Sequence, residues 1–199
     1  MDPELQQICD VFRAQLANCP SSWCQLHPHD DDRQWSAQQL MEHLVLALRT
    51  SSRVLETRVR RGRPTRSKST LLERVLRFLI LSRRRMPLGA AAPPFVRPGA
   101  LCWPPMDGAE LSDIFRQEME AMDRLLVRCE ELFGRRAPAT HYLLGPLRPM
   151  QWRRFHIIHC RHHLEQLHRI QQELGHAGPA RPTLISAGKI TARSERAAG

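Results

Sequence analysis

Apolar residues recur at spacings of three and four along most of the chain, and no stretch alternates residue by residue as a half-buried strand does. The pattern predicts an all-α protein. The first stripe, Leu5, Ile8, Val11, Phe12 and Leu16, follows Asp2 as N-cap with Pro3 at the first helical position, and it stops near Cys19-Pro20. A polar stretch ending in Asp30-Asp31-Asp32 reads as a solvated loop, with carboxylates that also suit the start of the next helix. Ser36 with Gln39 then makes a capping box. It opens a second helix whose apolar face carries Leu40, His43, Leu44, Ala47, Leu48, Val54, Leu55 and Val59 and which fails at Gly62-Arg63-Pro64.

A shorter helix is predicted from Leu71 to about Ser82, with Leu72, Val75, Leu76, Leu79 and Ile80 as its apolar residues. Pro87 to Pro105 forms a proline-rich connector that includes Trp103; it reads either as a cap on a site mouth or as cover for helix surface. A long helix from about Ala109 to Phe133 stops at Gly134, and a loop from Arg135 to Arg148 leads to a final helix that starts at Pro149 and ends at Gly175. Four long helices with long connections bury their stripes most simply as a four-helix bundle spanning residues 1–175, with the short helix and the connector added. Residues 176–199 read as a basic, mobile tail in which Leu184-Ile185 is a candidate docking point.

A length of 199 residues, 42% of them hydrophobic, suits one domain with a sizeable core. No apolar run reaches the roughly 18 residues of a membrane span, and the opening MDPELQQICDVF lacks the basic start of a signal peptide. A soluble cytoplasmic protein without a membrane partner is expected. The six cysteines are scattered without a CxxC pair and are expected as reduced thiols. The net charge of +10 raises the question of phosphate-bearing partners. Arg58, Arg60, Arg61, Arg63, Arg66 and Lys68 cluster around the end of the second helix, yet few aromatics are available to stack on bases and no recognition motif is visible, which makes nucleic acid a poor fit.

Five of the ten histidines lie between His156 and His168, on the final helix. Residues four apart share a helix face, so His159 and His163 can offer two imidazoles to one point. With His159 at zero and about 100° per residue, Trp152 falls near 20°, His156 near 60°, His163 near 40°, Gln166 near −20° and Ile170 near 20°. These residues form one inward stripe. His168 falls near 180° on the same count and reads as solvated surface. A similar count turns His43 inward on the second helix. One buried histidine is most often a hydrogen-bonded core residue, but burying several imidazoles without a shared partner is costly.

Trp35-Ser36 followed by Leu40-Met41-Glu42-His43-Leu44, together with His159-Cys160-Arg161-His162-His163-Leu164-Glu165-Gln166-Leu167, resembles two motifs of the DinB/YfiT-like superfamily of bacterial metal-binding bundles. The second motif is similar to that superfamily's H-x-x-H-H-x-x-Q-[IL] segment, and the resemblance spans roughly residues 2 to 174. It implies a four-helix bundle of up-down-down-up topology in which His43, His159 and His163 bind a divalent transition metal such as Zn, Ni or Fe. It also implies hydrolase or thiol-dependent S-transferase chemistry on a small-molecule substrate, with a metal-bound water, or a low-molecular-weight thiol held as thiolate, as nucleophile. Three neutral imidazoles that leave one coordination position open fit such chemistry. His162 is then an extra histidine beside the three.

His156 reads as a core hydrogen-bonder or as a base behind the ligands, and Gln166 as a hydrogen-bond partner of a ligand or of its own helix. A homodimer stays open. So does a rival in which the bundle is no enzyme, its histidines are structural, and its basic surface binds an acidic partner.

Overall fold

The computed structural model describes residues 1–31, 33–86 and 92–175; Asp32, the first part of the proline-rich connector and the C-terminal tail with Leu184-Ile185 lie outside the described residues. Three of the long helices and a shorter one begin where the sequence supplies a partner for the free backbone N–H groups of a first turn. In α1 (Pro3–Leu16) the Asp2 carboxylate accepts from the N–H groups of Glu4 and Leu5. Reciprocal capping boxes open α3 (Ala37–Arg61) through Ser36 and Gln39, α4 (Leu71–Arg83) through Thr70 and Glu73, and α5 (Gly108–Phe133) through Asp107 and Glu110. The last helix, α6 (Pro149–Glu173), has proline in its first turn.

The four long helices α1, α3, α5 and α6 share one core. The most extensive contact runs between α3 and α5, α1 lies on α5, and α6 packs against α1, α3, α4 and α5. Phe12 of α1 meets Phe115 of α5 with ring centroids 4.9 Å apart, and Leu44, Met119 and Trp152 fill the layers around them. Gly108 sets how closely α5 approaches α1. A Cβ there would overlap the Leu16 carbonyl oxygen, and the Gly108 N–H donates to the Cys19 carbonyl at 2.9 Å.

Four features depart from the sequence expectation. The Arg135–Arg148 loop contains an antiparallel hairpin, β1 (Ala139–His141) and β2 (Gly145–Leu147), with Thr140 opposite Pro146. Strands of three residues are too short for alternation to register. A one-turn helix, α2 (Ser21–Cys24), interrupts the first polar loop. The short helix α4 forms as expected, but Leu72, Val75 and Leu79 face solvent while Ile80 and Leu81 face the protein. His168 is half-buried rather than solvated, with both ring nitrogens shielded from water.

All six cysteines are free thiols, five of them buried. No helix among the described residues is long and apolar enough to cross a membrane.

Candidate metal centre

Helices α3 and α6 bring their inward stripes together, and the contact places three imidazoles face to face. His43 comes from α3, and His159 and His163 come from consecutive turns of α6. His43 Nε2 lies 3.2 Å from His159 Nε2, and His163 Nε2 lies 3.1 Å from the same atom. One ligand atom from each of the three residues falls within 4.8 Å of the others, and all three side chains are buried. Nitrogens bound to one tetrahedral ion at 2.0–2.1 Å stand about 3.3 Å apart. The two short separations here are close to that edge.

The outer nitrogens fix which inner ones carry protons. His43 Nδ1 sits 2.7 Å from the Val96 carbonyl oxygen, which can only accept, so Nδ1 carries the hydrogen and Nε2 of the neutral ring presents a lone pair. His163 Nδ1 likewise donates to Gln166 Oε1 at 3.0 Å, leaving its Nε2 bare. His159 Nδ1 is buried with no hydrogen-bond partner. The only proton available between the three Nε2 atoms is therefore the one on His159, and it can bridge one contact. The other sets lone pair against lone pair. An electrophile bound between the three rings removes that conflict, so the residues fit a metal ion and this buried group can hold one.

Burial lowers the proton affinity of all three rings. It is the largest cause for His43, for His159, which lies well below the ordinary value and is lowered further by His163 and His43, and for His163, which is pushed down to about 3. Neutral imidazole is the form that ligates a metal.

Aromatic neighbours hold the rings in place. Phe155 stacks on His159 at 5.6 Å and an interplanar angle of 10°, and Trp35 lies over both His43 (4.9 Å) and His163 (6.3 Å). The connector is part of this support. The buried Glu42 carboxylate accepts from the N–H groups of Gly99 (2.9 Å) and Leu101 (2.8 Å), and Gln38 joins Pro104 and Met106, so α3 holds the segment that presents the Val96 carbonyl to His43. Of the two readings of the connector, the one that places it at the site mouth matches Pro93, Phe95 and Val96, which line the cavity described next.

The three rings form part of the wall of a cavity of about 600 Å³ between α3, α6, the connector and the β1–β2 turn. Its apolar lining includes Trp35, Val54, Phe95, Tyr142, Trp152 and Phe155. His162 is half-buried and opens onto it beside His163. His156 does not line it. That ring is buried, pairs with Ser51 Oγ at 3.1 Å and is pushed down to about 3 by burial, which is core hydrogen bonding rather than contact with the three converging imidazoles.

Sequence reasoning missed His141, whose buried Nδ1 accepts from the N–H groups of Leu143 and Leu144 and so shapes the turn on the far wall. It also gave no role to Glu42 or Gln38. Polar residues four apart on a helix read as a solvated face, and nothing local marks them as anchors for a distant loop.

No family model matches the chain, and no match appears among curated proteins or solved structures.

Proposed function

We propose that this protein is a metal-dependent enzyme of hydrolase or thiol-dependent S-transferase type, built as a DinB-like four-helix bundle of α1, α3, α5 and α6 in up-down-down-up order. His43, His159 and His163 are its metal ligands. One observation carries the reading: three buried Nε2 atoms converge while two of the rings have their only proton committed on the opposite side, to Val96 and Gln166. The rival, with purely structural histidines, leaves that convergence without a purpose and one N···N contact without a hydrogen.

When bound, the ion supplies Lewis acidity and lowers the pKa of water or of a thiol, so that either becomes a nucleophile near neutral pH. The chain supplies the rest. Val96 and Gln166 fix the tautomers of His43 and His163, Phe155 and Trp35 fix the ring planes, and the apolar walls exclude bulk water from a space sized for a small-molecule substrate.

The test is metal analysis of protein purified without chelator. About one divalent ion per chain is expected, and His159→Ala and His163→Ala should each abolish it while keeping the helical circular-dichroism spectrum. Substoichiometric metal in the wild-type protein, together with no thermal shift on adding Zn²⁺ or Ni²⁺, overturns the proposal.

A further inference from the structure

The net charge of the chain is not spread over it. Residues 57–106 contain twelve of the thirty cations and one of the twenty acids, Glu73, so this quarter of the sequence carries +11 and the remainder carries −1. Ion pairs among the described residues such as Arg49 with Glu118, Arg116 with Asp10 and Arg161 with Glu4 lie outside this segment. Arg60, Arg61, Arg63, Arg74, Arg83 and Arg85 are exposed and take no carboxylate among the described residues.

The same segment holds the largest group of exposed apolar side chains. On α4, Leu71 is 75% exposed, Leu72 67%, Phe78 65%, Val75 46% and Leu79 38%. At about 100° per residue, with Leu71 as zero, these five fall between −20° and 100°, while the buried Ile80 and Leu81 fall near 180° and 280°. The helix thus has two apolar faces pointing in opposite directions. Arg74 falls near −60° and Arg83 near 120°, one on each flank of the outer stripe. Arg77, on the inner side, instead reaches the Leu144 and Pro146 carbonyls and clamps the helix to the β1–β2 hairpin.

An outward stripe of Leu, Val and Phe bordered on both sides by arginine is the arrangement of a helix lying in a lipid interface, with the apolar residues among acyl chains and the guanidinium groups level with the headgroups. Charge selects among the possible occupants. A second copy docked through α4 would bring two such arginine-rich segments together, with only Glu73 to offset them, and that carboxylate is already committed to the α4 cap. Duplex nucleic acid would satisfy the arginines but leave five large apolar side chains against water or phosphate. An anionic bilayer satisfies both.

We infer that α4 is a membrane-surface anchor that docks the protein on bilayers rich in anionic lipid. This is independent of the metal site, and it runs against the sequence expectation of no membrane partner, which rested on the lack of a membrane-spanning run.

The test is flotation of the full chain with vesicles of phosphatidylcholine alone and with vesicles containing about one third phosphatidylglycerol. Binding is expected only to the anionic vesicles, and it should weaken as salt is raised from 50 to 500 mM. Phe78→Glu and the double variant Arg74→Ala/Arg83→Ala should each lower the partition coefficient about tenfold or more. Both change exposed side chains, so unaltered thermal melting will show that the fold is kept. No binding to anionic vesicles at low salt overturns the inference. So does binding unaffected by Phe78→Glu, which would mark an electrostatic surface alone, and so does sedimentation showing a dimer that Phe78→Glu converts to monomer, which would make the stripe a self-interface. Tight vesicle binding only after removal of residues 176–199 would assign the stripe to the tail and overturn it as well.

Discussion

Two clusters of buried polar side chains sit on α6, on the order of 9 Å apart along its axis, and they are satisfied in opposite ways. At the first, Arg153 Nε donates to Asp123 Oδ1 at 2.7 Å, the Asp2 backbone N–H donates to Asp123 Oδ2 at 2.8 Å, and Glu130 and Asp2 approach the same guanidinium within 4 Å. Donors meet acceptors, and the cluster ties the start of α1 and the middle of α5 to α6. At the second, His159 and His163 meet His43, and like faces like. Burial is common to both. What separates the two is complementarity: the first is complete within the chain, and the second, on the proposed reading, is completed by a metal ion.

That contrast can be broken by experiment. The largest effect is expected from Arg153→Met, which leaves the buried Asp123 carboxylate without its partner and should cost about 3–5 kcal/mol in denaturant unfolding while metal content stays unchanged. If the variant loses metal without losing stability, the two clusters have been assigned the wrong way round. Next in size, Zn²⁺ at a thousandfold excess over its dissociation constant should stabilise the wild-type protein by about 4 kcal/mol, and chelator should reverse it. In His159→Ala neither addition should move the melting temperature.

A third expectation concerns His141, which resembles neither cluster because it is satisfied only while neutral. Burial pushes it down to about 4, below the 6.5 of an ordinary histidine, so the unfolded chain takes up this proton first. Its contribution is complete above pH 6.5 and is lost as the pH falls toward 4, amounting to about 3 kcal/mol. His141→Asn keeps a side-chain acceptor for the Leu143 and Leu144 N–H groups but cannot titrate. Melts between pH 7 and pH 4 should therefore show a shallower acid decline in this variant, and an unchanged slope would remove His141 from the account. The smallest effect is expected for Gln166→Leu, which frees His163 to adopt either tautomer and should weaken metal binding about tenfold to a hundredfold in competition with a chromophoric chelator.

Much of the fold is legible in the sequence because caps and stripes are local. Asp2, Ser36, Pro149 and Gly62 mark helix ends through the few residues beside them, and the periodicity of α6 is sufficient to turn His159 and His163 inward together. The remainder depends on contacts between distant segments. The sequence of α4 contains two apolar stripes, and a helical wheel cannot say which one meets the protein; Arg77 decides it by bonding to hairpin carbonyls almost seventy residues away. The site is divided in the same manner. Its three histidines are readable from two helices, whereas the carbonyl that orients His43 comes from a loop fifty-three residues later.

Between Val96 and Leu101 that loop is held at two points, by Val96 on His43 and by Gly99 and Leu101 on Glu42. Because Glu42 and His43 are neighbours on a rigid helix, the span from Val96 to Gly99 acts as a ruler whose length is matched to theirs. One glycine inserted after Pro98 would force the span to release either the carboxylate or the imidazole. A zinc titration of that variant would show which hold is the stronger.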